Sequence, residues 1–142
     1  MNGRSAYLLG LTDFTQTEPT ITNVTPSNST PLVNDPVTIT ANVQDENAVY
    51  LGYRSAQGAP FERVLMYDDG LHNDGAANDG VYGVEVTMTT LFMEYYIYAD
   101  NSNIGKFSPQ RSEHEYYSIS AGAPVANDLV INEFLASNDF VA

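Results

Sequence analysis

Val37-Thr38-Ile39-Thr40-Ala41-Asn42-Val43 alternates apolar with polar side chains at every step. A period of two is that of a strand with one buried face, so Val37, Ile39, Ala41 and Val43 point to a core and the residues between them to solvent. Short segments of the same kind continue on both sides, with turn residues about every 8 to 12 positions, the rhythm of an antiparallel β-sandwich of about seven strands. On the N-terminal side, Thr20 to Val24 is a strand ending at Pro26. The polar loop that follows runs to Pro36, with an irregular edge segment near Leu32 and Val33.

On the C-terminal side, Asp45 to Asn47 turn the chain into Ala48 to Ser55, where Val49, Leu51 and Tyr53 face the core. Phe61 to Tyr67 is the next strand, with Val64 and Met66 inward. In Val81 to Thr89 the alternating residues are Tyr82, Val84, Val86 and Met88. Leu91 to Ala99 places Tyr95, Ile97 and Ala99 on one face and Tyr96 and Tyr98 on the other. The polar stretch Asp100 to Glu113 reads as a loop with pairing near Lys106 and Phe107, and Glu115 to Ser120 is the last strand.

The 43% apolar fraction suits a folded chain, and no apolar run approaches the ~18 residues of a membrane span, so membrane insertion is not expected. With 18 acidic against 5 basic residues the net charge is −13, which repels phosphate backbones, so nucleic acid is not an expected partner. The absence of cysteine removes disulfides, thiol nucleophiles and zinc-thiolate sites together. The Asn-x-Thr triplets at Asn23 and Asn28 read as ordinary loop sequence.

Between Phe61–Tyr67 and Val81–Thr89 lies Asp68-Asp69-Gly70-Leu71-His72-Asn73-Asp74-Gly75-Ala76-Ala77-Asn78-Asp79-Gly80, in which Asp-Gly recurs three times at a five-residue interval. Gly takes positive φ without steric cost and Asx side chains bond nearby backbone, so the stretch forms turns, here expected to close a hairpin. Asp68, Asp69, Asn73, Asp74, Asn78 and Asp79 also offer the hard oxygen donors that calcium selects. The spacing is not that of an EF-hand, since Leu71 or Ala76 falls at the third ligand position. Turn capping is the favoured reading and a calcium site the minority one.

His72 and His114 lie in polar surroundings without partners at catalytic spacing, and no nucleophile elbow is present, so the chain reads as non-catalytic. The second unusual feature is tyrosine, with 10 and no tryptophan. If the last two strands pair, Tyr96, Tyr98, Tyr116 and Tyr117 form an aromatic surface able to stack on a sugar or a protein. Cover by a neighbouring domain is the simpler use of such a face.

The order Pro19-Thr20-Ile21-Thr22-Asn23-Val24, Asp35-Pro36-Val37-Thr38-Ile39-Thr40-Ala41, Asp68-Asp69-Gly70, Asn78-Asp79-Gly80-Val81-Tyr82 and Glu94-Tyr95-Tyr96-Ile97 with Ala99-Asp100-Asn101 resembles bacterial Ig-like, fibronectin-III-like modules over residues 19–120. The resemblance implies a structural or adhesive module of a larger secreted or cell-surface protein, with neighbouring domains as partners. A carbohydrate-binding accessory module using the surface tyrosines is the alternative. Residues 1–18 read as an upstream linker with a short helical stretch at Ala6-Tyr7-Leu8-Leu9. After a hinge at Ala121-Gly122-Ala123-Pro124, Leu129-Val130-Ile131-Asn132-Glu133-Phe134-Leu135-Ala136-Ser137-Asn138 looks like the opening strand of a lamin-tail domain. Lacking its own sheet, that strand is expected to be disordered or borrowed onto a sheet edge. The layout is similar to proteins with an upstream spore-coat-H-like kinase domain, none of whose chemistry is found in these residues.

Overall fold

The computed structural model describes residues 16–122, and the readings of residues 1–15 and 123–142 lie outside them. Eight strands follow one another: β1 (Thr20–Pro26), β2 (Pro36–Gln44), β3 (Ala48–Arg54), β4 (Glu62–Leu65), β5 (Val81–Thr87), β6 (Phe92–Asp100), β7 (Gly105–Ser108) and β8 (Tyr117–Ser120). No helix is found among the described residues. All strand pairs are antiparallel, β1-β2-β5 in one sheet and β4-β3-β6-β7 in the other. β8 joins the second sheet on β6, pairing Phe92–Tyr95, while β7 pairs Ile97–Asp100. β7 and β8 thus lie one after the other along one edge of β6.

The two sheets close on a single core, and the alternation chose its members. Val37, Ile39, Ala41 and Val43 of β2 are buried together with Val49 and Leu51 of β3, Val84 and Val86 of β5, and Tyr95, Ile97 and Ala99 of β6. Met66, Met88, Met93 and Ile119 fill the remainder. Each buried Val, Leu, Ile or Met among them contributes roughly 1.5–3 kcal/mol on leaving water. Tyr53, expected in the core, is only half-buried and donates its hydroxyl to Glu62 at 3.0 Å. The pairing expected near Lys106 and Phe107 is β7.

The hairpin expected across the Asp/Gly stretch does not form. β4 stays on β3 and β5 pairs with β2, so the stretch crosses from one sheet to the other. What remains of a hairpin is an isolated bridge: Tyr67 N–H donates to Gly83 O at 3.0 Å, and Gly83 N–H to Tyr67 O at 2.8 Å. Two-residue turns dictate register, but a stretch as long as Asp68–Gly80 imposes none. Burial decides instead, and opposing Val84 to Ile39 and Val86 to Val37 puts all four side chains in the core.

Candidate functional site

Two places carry the chemistry singled out in the sequence, the Asp/Gly crossover and the aromatic outer face of the second sheet. In the crossover, Asn73-Asp74-Gly75 and Asn78-Asp79-Gly80 share a pattern of positive φ. Asn73 (φ 56°) and Asn78 (φ 61°) are left-handed, as are Gly75 (φ 106°) and Gly80 (φ 82°), with an Asp between each pair. Asn tolerates this region better than most residues and Gly freely, so these triplets fold the chain back twice in succession.

The Asp between them is bonded to backbone in both triplets. Asp74 is buried, 2% exposed, and its Oδ2 accepts the N–H of Asp69 at 2.7 Å and of Gly70 at 3.0 Å, while Oδ1 accepts that of His72 at 3.1 Å. Asp79 accepts the N–H of Ala76 at 3.0 Å and of Val81 at 2.9 Å. Asp68 accepts from Asp79 and Gly80, at 3.2 and 2.9 Å. Asp69 accepts from Leu71 at 2.9 Å and meets His72 Nδ1 at 2.8 Å. Asn73 donates from Nδ2 to Thr38 Oγ1 of β2 at 3.2 Å, fixing the crossover to the first sheet.

Gly83 explains why the crossover lies flat on β5. A methyl group there would fall 2.5 Å from the His72 carbonyl oxygen and 3.0 Å from Asp74 Cβ. Burial pulls the Asp74 carboxyl toward higher pKa, but the amides of Gly70, of Asp74 itself, and of Asp69 and His72 outweigh it and hold the group below its ordinary value. At Asp69 the hydrogen bond from His72 does most to lower the carboxyl, with help from the Leu71 amide.

Of the six oxygen donors considered for calcium, the four carboxylates accept backbone N–H groups and Asn73 donates to Thr38. Among the described residues no group of three or more His, Cys, Asp or Glu side chains is arranged to hold a metal ion. Each of these carboxylates is stabilised by N–H dipoles, which offsets part of the repulsion between neighbouring charges.

On the outer face of the second sheet, Tyr96 and Tyr98 of β6 are half-buried in a continuous aromatic layer. Phe61 meets Tyr96 and Tyr116, each with ring centroids 5.0 Å apart, and Phe107 meets Tyr98 at 4.8 Å and Tyr96 at 5.6 Å. Arg54 lies over Phe61 (4.4 Å) and Tyr116 (4.8 Å) while its Nε donates to Glu94 at 2.6 Å. Arg63 lies over Tyr50 (4.4 Å) and Tyr98 (5.2 Å). Gly52 of β3 has no side chain because the Tyr96 ring occupies that space.

Tyr96, Tyr98 and Tyr116 are thus brought together, but Tyr117 is not. Adjacent strand residues face opposite ways, and Tyr117 turns inward opposite Tyr95, at a ring distance of 5.3 Å, with its hydroxyl 2.8 Å from Ser108 Oγ. Burial, with Tyr117 nearby, pushes the Tyr95 hydroxyl up to about 12. The sequence reading did not include Phe61 and Phe107, which join the tyrosines to one another. Their signal lay in parity, since both register with outward positions once β4 and β7 are paired.

Residues 54–91 match the model of the conditioned medium factor second Ig-like domain. The matched segment runs from the end of β3 through β4, the whole crossover and β5. None of the curated proteins compared with the chain matches it. The match and the two antiparallel sheets agree: residues 16–122 form an Ig-like β-sandwich.

Proposed function

We propose that this Ig-like sandwich is a non-catalytic structural or adhesive module of a larger secreted or cell-surface bacterial protein, with neighbouring domains of the same polypeptide as its partners. One observation carries the reading: the carboxylates and rings singled out as ligand candidates in the sequence already have partners within the chain. The crossover carboxylates bond backbone amides, and the outer aromatic rings pack on one another beneath Arg54 and Arg63. The matched family's name, that of a conditioned medium factor, fits export. Small Ig-like sandwiches gain function from sites added to the scaffold, and a spacer needs only a stable one.

The carbohydrate-binding alternative keeps one specific observation in its favour, the single layer that Tyr50, Tyr96, Tyr98 and Tyr116 make with Phe61 and Phe107. A glycan array and calorimetric titration with millimolar sugars separate the two readings. The structural reading expects no saturable binding. Binding that disappears in Tyr96→Ala and Tyr98→Ala would replace it with the accessory-module reading.

A further inference from the structure

The crossover leaves one place where the chain's own groups do not close the surface. Beside it, between the ends of β3 and β4, is an open groove of about 470 Å³. Its apolar side includes Tyr50, Leu65 and Tyr67, and its polar side Asp68, Asp69 and Asn78. The volume lies in the range of small-ligand sites, roughly 300–1,000 Å³.

Three observations single this groove out. Leu65 is 40% and Tyr67 41% exposed, so two large apolar side chains of the groove wall are left in water. The Tyr67 ring is held by stacking on His72, with centroids 4.5 Å apart and planes 19° from parallel. A fixed ring costs little entropy when a ligand meets it. Charge is the third. Asp68 and Asp69 line the groove, and Tyr82, also at its wall, donates to Glu46 at 2.7 Å. No lysine or arginine lines it; Arg63 is stacked on Tyr50, one of the lining residues.

Aromatic rings beside carboxylates, in a chain of net charge −13, repel anionic ligands and attract cations. Arg63 over Tyr50 and Tyr98 is an internal instance of the same contact. We infer that the groove docks a basic side chain, lysine or arginine, of an extended peptide segment of a partner protein, with the flanking apolar residues of that segment covering Leu65. This adds an adhesive contact to the structural role of the module.

The test is calorimetric titration of the full chain with a short peptide of alternating lysine and leucine, at ~150 mM salt so that diffuse attraction is screened. Asp69→Asn removes one charge while keeping an oxygen for the Leu71 amide, and Tyr67→Leu removes the ring while keeping an apolar side chain. Glu85→Gln, on the exposed face of β5 away from the groove, removes the same charge elsewhere. We expect saturable 1:1 binding, weakened at least fivefold by each groove variant and less than twofold by Glu85→Gln. Equal effects of Asp69→Asn and Glu85→Gln would reduce the binding to net charge and overturn the site. So would absence of saturable binding, or binding of a neutral oligosaccharide in place of the peptide that is lost in Tyr67→Leu.

Discussion

Asp74 is the residue on which the crossover depends. A carboxylate that accepts three backbone N–H groups while 2% exposed can be removed only by leaving those donors unpaired or by opening the loop to water. A buried donor left without a partner costs about 1–3 kcal/mol, so Asp74→Ala should lose roughly 2–4 kcal/mol in urea unfolding once part of the loop relaxes. A loss below about 1 kcal/mol would show that the loop does not need this cap. The pH response carries a definite sign. Because the folded pKa is depressed, the stabilising effect is complete above the unfolded value of about 3.9 and is lost as pH falls through the lower folded value. Stability of the parent chain should therefore be flat with respect to Asp74 above about pH 5 and fall in acid, and Asp74→Asn should flatten that fall, leaving the slope that Asp69 contributes. An acid limb unchanged in Asp74→Asn would contradict the assignment.

Among the elements, β3 and β6 organise the outer face, and their coupling can be measured. Removal of the Tyr96 ring strips its edge contacts to Phe61 and Phe107 and exposes Gly52, and each aromatic pair is worth about 0.5–1.5 kcal/mol beyond its area. Tyr96→Ala should destabilise by about 2–3 kcal/mol, and a double-mutant cycle between Tyr96 and Phe61 should return a coupling near 1 kcal/mol. A coupling of zero would mean that the rings are neighbours without interaction. Strands were legible wherever one face is buried, because Val37 to Val43 and Tyr95 to Ala99 repeat with period two. Pairing across the crossover was not, since nothing local in Asp68–Gly80 says which sheet Val81 will join. The choice comes from Ile39 and Val37, some forty residues away in the sequence. Tyr117 shows the reverse case: its inward direction follows from the alternation already used for β2, applied to Tyr116 and Tyr117. Which of the three Asp-Gly steps is buried depends on Gly83, a contact that forms only after β5 has docked.

For the molecule as a whole, residues 16–122 hold a core drawn from both sheets, with Glu18 tied to Lys106 at 2.8 Å and the Gly122 amide to Pro31 O at 2.8 Å. A chain of residues 16–122 alone should therefore unfold in one transition at the midpoint of the full chain. A drop of several degrees would make residues beyond that span part of the same cooperative unit. The crossover carboxylates are bonded by the loop's own amides, and on that ground the module is expected to stand without a resident cation. The most direct test is the thermal midpoint of the full chain in EDTA, in millimolar magnesium and in millimolar calcium, since a cation that binds only the folded state must raise that midpoint. The expected result is the same midpoint in calcium as in magnesium, and a rise of several degrees specific to calcium would contradict it.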